Sequence, residues 1–271
     1  MNMDGPLTAW KALLYLFVAL VLFFLIVPNF VVVPMSFNDS ALLRLPPDGF
    51  SWRWYHRYLE LPGWVEATLT SFLVATLTAI VVMLIGSLAA YGLVRGRIVG
   101  AGSLNSLLML PIIIPTLVTA IALYNVMSYL RLNGTILGFV IGHSVVAMPF
   151  AVTIMTAALR AIDPVVENAA RSLGASRITT LRRITLPMAL PGLLSSGLFA
   201  FLISFDELLI ALFISSPTVS TLPKKLWEGI RFEIEPTLAA VSTLLVMLSL
   251  LVLTVAGIIH LIRERRDKKN G

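Results

Sequence analysis

Six stretches of this chain contain no Asp, Glu, Lys or Arg, and each is longer than 20 residues: Ala12 to Met35, Ala67 to Val94, Ile98 to Leu130, Leu132 to Leu159, Ile184 to Phe205 and Thr237 to Ile262. A helix rises about 1.5 Å per residue, so each run is long enough to cross a hydrocarbon layer of about 30 Å. Lipid offers the backbone no hydrogen-bonding partner, so runs of this length must bond internally as helices. The spanning strands of a closed barrel are about half as long and alternate. The expected fold is therefore all-α, a polytopic membrane protein with six transmembrane helices. A chain that is 58% hydrophobic and 13% charged, with a mean hydropathy of +0.93, agrees with this and excludes an ordinary soluble domain.

The first run is expected to be a retained helix and not a cleaved leader. It is too long for a leader's apolar core, has a single Lys11 in front and shows no small-x-small cleavage site. The chain has no cysteine, which removes disulfides and thiolate metal sites, and no metal ligand set is expected. With the N-terminus inside, 13 of the 20 Lys and Arg fall on the cytoplasmic side, among them Arg95, Arg97, Arg171, Arg177 and the tail Arg263 to Lys269. The other 7 fall outside, so both termini are expected to be cytoplasmic. The net charge of +6 thus reads as membrane orientation, with no nucleic-acid partner. The aromatic cluster Trp52, Trp54, Tyr55, Tyr58 and Trp64 suits the outer headgroup level of the bilayer, as part of an interfacial amphipathic helix.

One polar stretch on the inner side stands out: "DPVVENAARSLGASRITTLRRITLP", Asp163 to Pro187. Asp163 suits an N-cap, Pro164 the first helical position, and Glu167 the positive end of the helix dipole. Val166, Ala169, Ala170 and Leu173 fall on one face, and Gly174 is placed to end the helix in a left-handed conformation. A second segment, with Ile178, Leu181 and Ile184 on one side, is expected to stop at Pro187. So short a helix needs a surface to pack on. Two surfaces fit the residues: lipid headgroups, or another protein approaching the small Ala-Ala face.

"NAARSLGASRITTLRRITLP" resembles the EAA loop of ABC-importer permeases: Glu-Ala-Ala, three residues, Gly, nine residues, Ile-x-Leu-Pro. Ala169, Ala170, Gly174, Ile184, Leu186 and Pro187 match at that spacing, whereas Asn168 stands where the family has Glu, with Glu167 one place earlier. "SFDELLIALFISSPTVSTLPKKLWEGIR", Ser204 to Arg231, is similar to the spermidine/putrescine permeases, in their PotC-like branch. The resemblance implies the type I ABC importer permease fold in a bacterial inner membrane. It divides the chain into a first helix and periplasmic linker (1–66), a permease core (67–263) with a coupling loop (160–187), and a basic cytoplasmic tail (264–271). It also implies partners: a second similar permease, an ABC ATPase dimer that receives the loop, and a periplasmic substrate-binding protein. The chain itself has no G-x-x-x-x-G-K-[ST] loop, so no cofactor is expected on it; ATP and Mg belong to the ATPase and the chain is not an enzyme.

Asp206 and Glu207 interrupt the apolar sequence after the fifth run. Carboxylates in lipid are costly unless they face water, a cation or a partner, which makes this pair the leading candidate for the translocation pathway. On a helix the two would point about 100° apart, so one would face the pore. The other reading places both at the outer water interface. An acidic lining suits a cationic polyamine. Asn125 is a further pathway candidate, or with Asn105 a link between helices, and His143 reads as a packed, hydrogen-bonded residue or a substrate contact. Pro111 and Pro115 are expected to bend the third helix, and Gly86, Gly92, Gly138 and Gly142 to permit close helix packing. The competing function is an ion-coupled secondary transporter in which Asp206 or Glu207 binds a proton or ion. An intramembrane enzyme is a poorer fit, since His143 and the two carboxylates form no metal or nucleophile signature.

Overall fold

In a computed structural model, residues 9–96, 98–232, 235–251 and 254 are described. Arg97, His260, the basic tail and the far end of the run from Thr237 to Ile262 lie outside the described residues. The chain divides into two compact units, Pro62–Trp227 and Met1–Leu61 with Glu228–Gly271.

The larger unit is built on three long helices: α3 (Trp64–Arg95), α6 (Ile136–Ala161) and α9 (Leu186–Phe205). Each packs against the other two. Small residues contribute to both buried clusters: Val82, Ala147, Ala151 and Ala200 form one, and Ala90 and Ala189 join Met155, Leu159 and Ile162 in the other. Gly86 of α3 lies against Ala151 of α6, where a Cβ would come within 3.2 Å of the alanine methyl, as expected of a packing glycine. Gly142 likewise faces Ile210. Gly92 and Gly138 instead meet Ile98 and Leu132 of the connecting loops, so they serve turns and not helix pairs.

The third run is not one bent helix but two, α4 (Ala101–Ile113) and α5 (Thr116–Tyr129), at 104° to each other. Pro115 disfavours a helical conformation at the residue before it, and Ile114 is extended (φ −77°, ψ 131°). The pair still carries the chain across the unit. Arg95, at the end of α3, touches Glu167 just beyond α6, so the C-terminal ends of α3 and α6 lie on one side. At the other end Ser71 of α3 accepts a bond from Leu222 N–H (2.8 Å), and Gly134, before α6, donates to Ile214 C=O (2.7 Å). Among the described residues four helices are long and apolar enough to cross a membrane, or five when the bent pair is counted as one span. The sixth run is described as the apolar helix Pro236–Leu251.

Between α6 and α9 lie α7 (Pro164–Ser172) and α8 (Arg177–Thr180). The second segment does not stop at Pro187. α8 continues through a π-helical turn, Leu181–Thr185, into α9, forming one helical stretch from Arg177 to Phe205. The wide turn, closed by Leu186 N–H on Leu181 C=O, opens the hydrogen-bond ladder where the proline lacks a donor, so the ring is accommodated. After α9 come α10 (Leu209–Ile214), packed on α5 and α6, and α11 (Leu222–Phe232).

In the smaller unit, α1 (Ala9–Met35) exposes its apolar side chains along its whole length, as in Phe23 and Phe24 at 68% and 76%. α2 (Arg53–Glu60) is the short amphipathic helix expected near the tryptophans. Its Trp54, however, is buried and donates through Nε1 to Asn38 C=O (2.6 Å), and Arg57 pairs with Glu235 at 2.7 Å. Trp64, in the larger unit, is also buried. Trp52 stays exposed, so only part of the aromatic cluster can serve a headgroup layer.

Candidate functional site

The start and end of α7 follow directly from its sequence. Asp163 is extended (φ −61°, ψ 123°) and accepts a bond from Val165 N–H through Oδ1 at 2.9 Å, with Pro164 following at the first helical position. At the other end Ala175 N–H donates to Ala170 C=O and Gly174 N–H to Arg171 C=O, both at 3.0 Å, with Gly174 at φ +89°. This is a Schellman termination, and it needs glycine for its backbone conformation alone, because a Cβ there would meet nothing within 4 Å.

α7 is mounted with its carboxylate inward and its apolar residues outward. Glu167 is its buried residue, at 9% exposure, whereas Val165 and Leu173 are 66% and 89% exposed. The glutamate is thus more than a favourable charge at a helix start. Arg95 Nε lies 3.1 Å from both of its carboxylate oxygens, and Thr185 donates to Oε1 through Oγ1 at 3.0 Å. Arg95 Nη2 also donates to the carbonyls of Leu159 (3.0 Å) and Ile162 (2.8 Å) at the end of α6. Removing one partner of such a buried pair leaves an uncompensated charge and costs about 3–5 kcal/mol. Arg95 and Thr185 were not identifiable from sequence as site residues. Arg95 ends an apolar run as many interfacial arginines do, and Thr185 occupies the variable place between Ile184 and Leu186.

Beside this pair, a cleft of about 640 Å³ is lined by Tyr91, Asn168, Arg171, Arg177 and Thr180 among others. Asn168 and Ala169 are exposed and Ala170 is half-buried. Ile184 is half-buried where the π turn meets the body, Leu186 is 42% exposed and Pro187 is exposed. The expected loop residues therefore form one continuous surface segment, but only Glu167 reaches inward.

The carboxylates after the fifth run are not on a helix. α9 ends at Phe205, with Asp206 as its C-cap, and the chain breaks before α10. Asp206 is exposed and makes no ion pair among the described residues. Glu207 is half-buried and accepts a bond from Ile210 N–H through Oε1 at 3.1 Å, capping α10. The two acids thus sit at the end of the unit opposite Arg95, beyond the helix and not inside it. His143 of α6 is buried, with Nδ1 2.8 Å from Ser204 Oγ in the last turn of α9, so it links α6 to the end of α9 just before the break. Asn125 donates to Ile121 C=O of its own helix at 2.9 Å, and Asn105 makes no side-chain hydrogen bond among the described residues. Neither joins two helices. Among the described residues no cluster of three His, Cys, Asp or Glu could hold a metal.

Residues 82–268 match the family of binding-protein-dependent transport system inner membrane components. The spermidine/putrescine transport system permease protein PotC of Haemophilus influenzae is 29% identical over 246 residues, covering 90% of this chain and 94% of the relative. The putrescine transport system permease protein PotI of Escherichia coli is 31% identical over 229 residues, 82% of this chain and 81% of the relative. Among solved structures, a bacterial ABC transporter involved in import of the acidic polysaccharide alginate has the same fold, with a TM-score of 0.73 at 15% identity over 96% of this chain and 99% of that one.

Proposed function

This chain belongs to the binding-protein-dependent transport system inner membrane components, multi-pass permease subunits of ABC importers, and from that premise we propose how its parts divide the work. The loop 160–187 is the element that an ATPase partner grips, and the break at Asp206 and Glu207 contributes to the pathway for a cationic solute of the polyamine class. The chain pairs with a second similar permease and receives solute from a periplasmic binding protein. Both its termini are cytoplasmic. ATP and Mg bind to the ATPase dimer. Closure of that dimer on ATP shifts α7, and the pathway changes from inward-facing to outward-facing.

The observation that carries this reading is the mounting of α7. A loop helix that hides its glutamate and shows Leu173 at 89% and Val165 at 66% offers an apolar surface for a protein to cover. A headgroup-bound helix would carry bulkier apolar residues than Ala169 and Ala170 at its centre. Asp206 supports the charge of the solute: an exposed carboxylate with no ion pair among the described residues can offer a charge-assisted hydrogen bond to an ammonium group. The fold does not choose the cargo, since the alginate importer's cargo is acidic.

The test is topological and functional together. With no native cysteine, Ser176→Cys reports the side of the loop directly. An impermeant thiol reagent should label it in inverted vesicles and not in intact spheroplasts. In the reconstituted complex, spermidine or putrescine with the binding protein should stimulate ATP hydrolysis. Labelling from the periplasmic side would refute the docking role, and stimulation by an anionic solute in place of the amines would refute the polyamine assignment.

A further inference from the structure

We propose that Arg95 is a positioning residue for transport: through Glu167 and Thr185 it makes α7 move as one body with the ends of α3, α6 and α9. This rests on the reading that α7 receives the ATPase.

α7 has nine residues, and a helix so short is held by what it touches. Its buried contact is a carboxylate and not an apolar stripe. The hydrophobic effect is non-directional. A guanidinium fork fixed on a carboxylate and two carbonyls is directional, and displacement in any direction breaks a bond. Arg95 occupies the last residue of α3, and its Nη2 holds Leu159 and Ile162 at the end of α6 at 3.0 and 2.8 Å. Glu167 then extends the joint to Thr185 at 3.0 Å. Thr185 is 1% exposed and is the last residue of the π turn that leads into α9. These are the three helices that form the centre of the larger unit. A π turn is a local weak point in a helical ladder, and force applied to α7 would flex it unless it were tied. The Thr185 hydroxyl ties it to the carboxylate that anchors α7.

The reading separates Arg from Lys. Lysine at 95 keeps a positive charge beside Glu167, and so the pair, but has no planar fork to reach the carboxylate and both carbonyls at once. The test uses the full complex of permeases, ATPase and binding protein in liposomes, with putrescine as probe. Ser172→Cys on the exposed side of α7 reports docking by cross-linking to a cysteine in the ATPase cleft. Arg95→Lys should keep the cross-link while solute moved per ATP hydrolysed falls about tenfold. Thr185→Val, which removes only the hydroxyl, should lower that ratio about threefold, and Thr185→Ser should restore it. A native ratio in both Arg95→Lys and Thr185→Val, with the cross-link intact, overturns the proposal. So does loss of the cross-link in Arg95→Lys, which would make Arg95 a seat for α7 and not a transmitter. Absence of the cross-link in the otherwise native chain instead removes the docking reading itself, and is distinguishable from either result.

Discussion

The two ends of the larger unit treat their carboxylates in opposite ways. Glu167 lies in a polar loop, where water would be expected to solvate it, yet it is buried and shared between Arg95 and Thr185. Asp206 directly follows an apolar run, where burial would be expected, yet it is exposed with no ion pair among the described residues. The difference shows that neighbouring sequence sets the environment of a charge less than the way helices end. α3 and α6 end together, and the terminal arginine of α3, held by two carbonyls at the end of α6, creates a site that accepts one carboxylate. The end of α9 meets α3 through Phe72 and α6 through His143, with no guanidinium beside its C-cap acid among the described residues, and Asp206 is left exposed.

The contrast is sharpest in stability. Glu167→Gln removes the charge that balances buried Arg95, so the purified complex should lose about 3–5 kcal/mol in denaturant unfolding. Asp206→Asn should change stability by less than about 0.5 kcal/mol, as exposed substitutions do. Its effect belongs to transport: loss of a charge-assisted contact of about 1.5–3 kcal/mol lowers uptake of labelled putrescine about ten- to a hundredfold at limiting solute. If the two variants were equally stable, the burial of Glu167 would have no energetic consequence and the comparison would fail.

Much of this was legible in the chain itself. Six charge-free runs announce an all-α membrane fold, and the signals at Asp163, Pro164 and Gly174 mark the ends of α7 because caps are local chemistry. What could not be read depends on residues far apart. Arg95 and Glu167 are separated by 72 positions, and only the common end of α3 and α6 brings them together. The break at Ile114 was foreshadowed by Pro115, but a proline specifies a break and not its 104° angle, which packing against α6 and α10 decides. Likewise Pro187 looks like a stop in sequence, but the helix continues past it after a π turn.

Gly174 probes the loop end of the comparison without touching its charges. Its φ of +89° is strained for any L-residue, while the space around it is open. Gly174→Ala should therefore weaken the Schellman termination by about 1 kcal/mol through backbone conformation only. If the termination presents α7 to the ATPase, transport should fall about fivefold. Gly174→Asp adds charge on the docking side and should abolish transport while the chain still inserts, as followed by membrane fractionation. Native transport in both variants would mean that α7 is not the coupling element.

The smallest effect expected is at Glu207, and it decides how the acidic break works. Its Oε1 accepts the Ile210 N–H at 3.1 Å, a role an amide oxygen fills as well as a carboxylate. Glu207→Gln should therefore change stability and putrescine uptake by only a few tenths of a kcal/mol, less than twofold in rate, because the cap survives. Glu207→Ala removes the acceptor, frees the start of α10, and should lower stability by about 1 kcal/mol. Side-by-side uptake and unfolding of the two variants separate cap from charge. Should Glu207→Gln reduce uptake tenfold while stability holds, the half-buried acid and not Asp206 carries the charge that the solute meets, and the contrast between a structural and a functional carboxylate would have to be drawn within one loop.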